Sequence, residues 1–184
     1  VSEDGIETTR LRLRPVRQMD AALLPSLITP VISRWTANWI YPFTAAMANE
    51  RVAATLADNA ASTGFNRVLT DKEDGRVIGW FRATLVSETP RTASIGYWLI
   101  DAVHGRGYLT EALPVFVQAA IAALKLERLE AGAQPENAAS IAALTRLGLR
   151  FIGRRQHYVP ARDREEPTNF YAMDCPGDSL PSGS

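Results

Sequence analysis

Apolar and charged residues alternate with a period of two through "RLRLRPV", Arg10 to Val16. That is the pattern of a strand with one buried face, and Pro15 restricts its continuation. From Met19 to about Ala57 the spacing turns helical, but Pro25, Pro30 and Pro42 cut the run into short pieces. "FNRVLT" and "RVIGWFRATLV" read as two strands joined through "DKEDG", where Asp74-Gly75 supplies the turn chemistry. After the breaker "SETPRT", the stretch "ASIGYWLI" from Ala93 to Ile100 makes a third strand, and an antiparallel meander is the economical arrangement. Gly96 inside it marks a bulge or a close backbone approach. From Tyr108 to Lys125 apolar residues recur at helical spacing, with Pro114 predicting a kink or a later effective start. "RLEAGA" is a further strand, and "ENAASIAALTRLG" a second helix closed by Gly148. "RFIGRRQHYV" and "TNFYAMD" are the final strands, with "PARDREEP" as a charged loop between them.

A chain of 184 residues with 46% hydrophobic content has room for one well-buried core. We expect a single domain over residues 1–174 and a flexible C-terminal tail over 175–184, where "DCPGDSLPSGS" is too rich in Pro, Gly and Ser to bury much surface. Twenty basic and twenty acidic residues cancel, so no net field draws the protein to nucleic acid or an anionic membrane. Cys175 stands alone in that tail, which excludes an internal disulfide and a Cys-based zinc site, and His104 and His157 are far apart in sequence. No run approaches the roughly 20 apolar residues of a membrane span, and "VSEDGIETTR" lacks a signal pattern. The expectation is a cytoplasmic protein with no metal.

"HGRGYLTEA", from His104 to Ala112, places two glycines around an arginine just before a helix. A strand ending at Ile100 and a helix starting near Tyr108 aim unpaired N–H groups at one point, with the positive end of the helix dipole behind them. Gly105 and Gly107 admit a phosphate to the main chain, and Arg106 adds a charge-assisted contact. A tight turn without a ligand is the plain alternative. A Walker loop needs a Lys that is missing here, and a dinucleotide fingerprint needs a third glycine and a parallel sheet.

"IGYWLIDAVHGRGYLTEAL" together with "PENAASIAALTRLGLRFIGR" resembles the GCN5-related N-acetyltransferases (GNAT), and most closely their branch of Rim-type ribosomal-protein N-terminal acetyltransferases. The resemblance extends from "TTRLRLRPV" to "NFYAMD". It implies a mixed α/β (α+β) acyl-CoA N-acyltransferase fold: a central, mostly antiparallel sheet flanked by helices, with two splayed strands. It further implies that Val103 to Thr110 (Val103, His104, Gly105, Arg106, Gly107, Tyr108, Leu109, Thr110) cradle the pyrophosphate of acetyl-CoA. Leu99 and Ile100 would present main-chain groups to the pantetheine arm. Ala102 departs from the family's Gln or Arg at that place. By the same pattern Asn137 contacts the cofactor arm, Ser140 lies near the thioester sulfur, and Arg146 meets a CoA phosphate. Helix capping is the competing reading of Asn137 and Ser140. The Tyr that many relatives use as general acid, four residues after Ser140, is Leu144 here.

Acetyl transfer to an amine asks for a neutral nucleophile, alignment and an oxyanion donor. His157 occupies roughly the place of a carboxylate in some Rim-type enzymes and is the candidate base, with Tyr97, Glu88 and Tyr158 as competitors. Cys175 is disfavoured as an acyl carrier, so transfer is expected to be direct. "RWTANWIYPF" groups Trp35, Trp39, Tyr41 and Phe43, which either pack between short helices or, with Tyr97, wall an acceptor pocket. The expected acceptor is a protein N-terminal α-amine or a small amine. The alternatives are a small-molecule (antibiotic or amino acid) acetyltransferase, a non-catalytic acyl-CoA-sensing module, or an ATP- or NAD-binding module. Homodimers are common in the family, but no interface is legible.

Overall fold

The computed structural model describes residues 5–175, so the expected tail from 176 onward lies outside the described residues. β1 (Ile6–Glu7) and β2 (Leu11–Pro15) are followed by α1 (Leu24–Leu27), α2 (Pro30–Trp35) and the longer α3 (Ala45–Ala60). The meander is β3 (Gly64–Asp71), β4 (Val77–Glu88) and β5 (Arg91–Leu99). Then come α4 (Tyr108–Leu124), β6 (Arg128–Ala133), α5 (Ala138–Arg146), β7 (Arg150–Val159) and β8 (Arg164–Asp174). The strands form one sheet in the order β1-β2-β3-β4-β5-β6-β8-β7, antiparallel except between β5 and β6.

Because side chains alternate across a strand, the sheet has two apolar faces. On one, α4 and α5 cover Leu11, Leu13, Phe81 and Ile95, with Phe116 and Leu144 at the centre. On the other, Val68, Trp80 and Trp98 pack against Leu24, Ile28, Ile32, Trp39 and Val52. α1 and α2 have four and six residues, too few to be stable alone. Burying Leu24, Ile28 and Ile32, at about 2 kcal/mol each, holds them in place. Pro25 and Pro30 sit in first turns, where a missing N–H costs nothing, and Thr29 and Thr44 cap α2 and α3.

Several expectations change. α4 runs unbroken from Tyr108, so Pro114 does not delay its start. The bond it forfeits would have ended on the Thr110 carbonyl, in the first turn. Gly96 pairs with Arg82 in register, and the irregularity lies in β4 between Leu85 and Ser87. A Cβ at Gly96 would stand 3.5 Å from Arg82 Nε, an ordinary contact. β8 begins at Arg164, and the second half of "PARDREEP" is therefore strand. Pro167 is tolerated there because β8 pairs with β6 only from Asn169 onward. Cys175 belongs to the first core, 8% exposed, with its N–H donating to Glu127 O at 2.7 Å. Burial pushes its thiol pKa up, which disfavours the thiolate an acyl carrier would need.

The feature that makes a site is a divergence. β5 and β6 pair only through Thr92, Ala93 and Ser94. Beyond that point β6 follows β8, leaving Ile95 to Leu99 with a neighbour on one side. Among the described residues no helix is long and apolar enough to cross a membrane.

Candidate active site

The gap between β5 and β6 opens a cleft of about 750 Å³ that reaches both faces of the sheet. Its walls include the glycine loop and α5 on one face, and Trp35, Trp39, Trp80 and Trp98 on the other.

Ile100 donates its N–H to Ile78 O at 2.9 Å, and its carbonyl accepts from Val103 N at 3.1 Å. Both main-chain groups of Ile100 are thus spent, and it does not line the cleft, contrary to expectation. Antiparallel alternation turns the N–H groups of Tyr97 and Leu99 toward the absent partner strand instead. His104 Nε2 donates to Leu99 O at 3.0 Å, so that carbonyl is occupied and the ring tautomer is set. An extended, amide-bearing ligand therefore finds a one-sided strand edge at Tyr97 and Leu99.

At the end of that edge Gly105 and Gly107 adopt φ +75° and +76°, in the left-handed region that other residues enter at a cost. Gly107 is the N-cap of α4, so the first-turn N–H groups face the loop. Arg10 clamps this corner. It donates to Glu111 Oε2 at 2.7 Å and to Arg106 O at 3.1 Å, and lies 4.5 Å from the Tyr108 ring centre. Val103 and Tyr108 are core side chains that offer the cleft main chain and ring edge only. Arg106 lies outside the cleft lining, whereas Leu109, Thr110 and Arg146 belong to it. These groups fit a diphosphate joined to an extended arm.

Ser140 and Tyr97 meet across the gap, with Oγ and the phenol oxygen 3.0 Å apart. Burial pushes the Tyr97 phenol up to about 12, partly offset by the hydrogen bond to Ser140, so it is neutral and a donor at physiological pH. Tyr97 stacks on Phe81 on the α5 side of the sheet, so it does not belong with the tryptophans as expected; its successor Trp98 does. Asn137 Oδ1 accepts from Ser140 N at 3.1 Å, so Asn137 does cap α5, and its amide nitrogen remains for another partner. His157 borders the cleft from β7, its ring edge-on to Phe170 at 5.6 Å, with no hydrogen bond to Tyr97 or Ser140. Glu88 pairs with Arg91 and Tyr158 with Asp163, and neither lines the cleft. Among the described residues no group of three or more His, Cys, Asp or Glu could hold a metal ion.

On the other face Trp39 is 5% exposed and packs against Trp80 and Trp98 at 5.6 and 5.3 Å, so core and pocket wall are one structure. Tyr41 is 52% exposed and outside the cleft, whereas Phe43 returns to the core against Trp39 at 5.3 Å. Sequence reasoning missed Arg82, Gln134, Arg162, Thr168 and Phe170, which all line the cleft. Arg82 carried a signal: a charge within the otherwise apolar run of β4.

A strap closes this side. Glu166 accepts from Arg162 at 2.9 Å, Arg164 at 2.8 Å and Gln134 at 3.0 Å, while Arg162 and Gln134 donate to main-chain carbonyls of and beside α2. The Arg162 hydrogen bond leads in holding the Glu166 carboxyl down to about 2, with Arg164 and Gln134 adding to it against burial. A lowered folded-state pKa stabilises fully above the ordinary value of 4.5 and progressively less as pH falls toward about 2. Glu166→Gln is expected to destabilise the fold by about 2 kcal/mol at pH 7. In thermal denaturation across pH the gap to wild type should close between pH 4.5 and about 2; a constant gap would contradict this assignment.

A mixed sheet opened between two parallel neighbours, with a glycine-capped helix at the mouth of the opening, defines an acyl-CoA-dependent acyltransferase. The family model of the GNAT acetyltransferase domain matches residues 10–150, and the chain belongs to that family as an acetyl-CoA-dependent N-acetyltransferase. It is 29% identical over 163 residues to the N-acetyltransferase p20 of Bacillus licheniformis, spanning 88% of this chain and 90% of that one. Among solved structures it resembles the ribosomal-protein-S5-alanine acetyltransferase of Vibrio fischeri, with TM-score 0.82, 20% identity and coverage of 95% and 97% of the two chains. It also resembles the microcin C7 self-immunity acetyltransferase MccE in complex with acetyl-CoA and AMP, with TM-score 0.81, 18% identity and coverage of 95% and 98%.

Proposed function

We propose that the chain moves an acetyl group from acetyl-CoA directly to a primary amine, an N-terminal α-amine or a small amine, that enters from the tryptophan-lined side. The observation that carries this reading is the Tyr97–Ser140 hydroxyl pair, which sits where the two sides of one cleft meet. The glycine loop and α4 N-terminus would take the diphosphate, and the Tyr97 and Leu99 edge would take the arm.

As the amine attacks, the new C–N bond forms, and negative charge grows on the thioester oxygen, where an N–H of the unpaired β5 edge stabilises it. The C–S bond then breaks. A phenol held near 12 does not surrender its proton to the thiolate of an ordinary thiol of pKa about 8.5, so the pair donates a hydrogen bond to the departing sulfur. The amine proton leaves through His157 at the rim, directly or by one water, which balances the charge of the thiolate.

Calorimetric titration with acetyl-CoA should give a Kd of about 1–100 μM, against no binding of ATP or NAD. Thiol release with a panel of peptides and small amines should then show turnover. Binding of ATP or NAD in place of acetyl-CoA would overturn the reading, and acetyl-CoA binding with no turnover would leave a sensing module.

A further inference from the structure

Arg82 lines the tryptophan-lined side of the cleft from β4, beside its strand partner Gly96. Among the described residues its guanidinium has no hydrogen bond and no ion pair. The side chain is only partly buried, so water reaches its donors and the guanidinium stands free for an anion. The surroundings do not supply the acceptor. Asp58 attracts Arg82 through space without forming an ion pair, while Arg51 repels it from beside Trp39. Arg51 is itself used on Asn38 O at 2.7 Å. On the far wall Arg162 and Arg164 share the single carboxylate of Glu166. Arg34 lies over the Trp35 ring, and His157 stands at the rim.

The wall beside it holds a second donor without a partner, out of reach of the cleft. Trp98 is 4% exposed, lines the cleft, and its indole N–H has no hydrogen-bond partner. Trp98 and Arg82 lie on the same face of neighbouring strands, Trp98 two residues beyond the Gly96 that pairs with Arg82. A free guanidinium and flat indole walls share one side of the cleft.

We propose that this side of the cleft selects an acceptor that carries a carboxylate on the same small skeleton as its amine, an apolar or aromatic amino acid being the simplest case. Arg82 receives the carboxylate, and the tryptophans receive the body. The same side of the cleft disfavours polyamines and amino sugars, whose further cationic groups would meet Arg82 and Arg162. This inference rests on the proposed transfer reaction for its biological sense, but the carboxylate site can be measured without turnover.

The test uses the full chain saturated with CoA and N-acetylated products as probes, in pairs that differ only in charge: N-acetylphenylalanine, N-acetyltryptophan and N-acetylleucine, each against its C-terminal amide. Wild type should bind at least one acid about 10-fold more tightly than its amide, and Arg82→Gln should bind the two within about 2-fold. Equal binding of acids and amides by wild type overturns the proposal, as does a preference that survives in Arg82→Gln or an absence of binding by every acid. If free amino acids are not acetylated while another amine of the panel is, the transfer reading stands and this proposal falls; if the acids bind as expected and no amine is acetylated, the transfer reading fails and the carboxylate site stands. Arg82→Gln should keep Tm within about 2 °C of wild type and keep acetyl-CoA affinity, because the partly buried guanidinium has no hydrogen bond or ion pair to lose. A merely structural Arg82 would lower Tm instead, and that result also counts against the proposal.

Discussion

Gly107→Val is expected to fold and to bind acetyl-CoA on the order of 100-fold more weakly than wild type. Space is not the reason, since a Cβ there would meet nothing nearer than an Arg10 guanidinium nitrogen at 3.7 Å. The cost arises from φ +76°, a region in which a β-branched residue is strained by roughly 2 kcal/mol. Relief comes from turning the peptide, and the peptide at the N-cap decides where the first N–H groups of α4 point. Hydrogen bonds to an ionised ligand are worth about 1.5–3 kcal/mol each, so misdirecting one or two accounts for a loss of that size. Gly75→Val supplies the control: φ is +72°, a Cβ there meets nothing within 4 Å, and the site is a turn away from the cleft. Both variants should lose similar stability, and only Gly107→Val should lose affinity in calorimetric titration. Wild-type affinity in a folded Gly107→Val protein would end the assignment of the loop to the diphosphate.

What the sequence made legible, and what it did not, divides along the range of the forces involved. β2, the meander and α4 follow from local periodicity, and the glycine loop from two φ-positive positions on either side of Arg106. The opening between β5 and β6 is not local. It exists because β6 follows β8 beyond Glu130, and nothing in "ASIGYWLI" or "RLEAGA" states where their pairing stops. The parity of the exposed edge was lost with it. The family resemblance pointed to Leu99 and Ile100, yet the ladder to β4 consumes Ile100 and frees Tyr97 and Leu99. The same parity separates Tyr97 from Trp98, sending one to the hydroxyl pair and the other to the tryptophan wall. Tyr41 shows the limit from composition: four aromatics in ten residues suggested one wall, but the turn before α3 put this ring in solvent. Arg82 was legible in principle, because a charge inside a buried apolar strand demands a reason.

Tyr97→Phe should lower kcat by about 30- to 100-fold and leave acetyl-CoA affinity within about 2-fold. The phenyl ring keeps the 5.8 Å stack on Phe81, so packing is preserved and only the hydroxyl is lost. In the proposed reaction that hydroxyl would give the departing sulfur a hydrogen bond that strengthens as the sulfur becomes anionic, and bonds to charged groups contribute about 1.5–3 kcal/mol. Ser140→Ala removes the partner that orients the phenol at 3.0 Å, and a loss of about 10-fold in kcat is expected from the freed rotation of the O–H. The two changes act on one hydrogen-bonded unit, so the double variant should be no slower than Tyr97→Phe alone. Additive losses would mean that Ser140 acts on the reaction separately, and unchanged kcat in Tyr97→Phe would remove the pair from the chemistry. Ser140→Ala also leaves the Ser140 main-chain N–H, which Asn137 accepts, so the α5 cap survives and a fall in kcat cannot be charged to an unwound helix. Single-turnover acetylation, compared with the calorimetric Kd of each variant, separates the two effects.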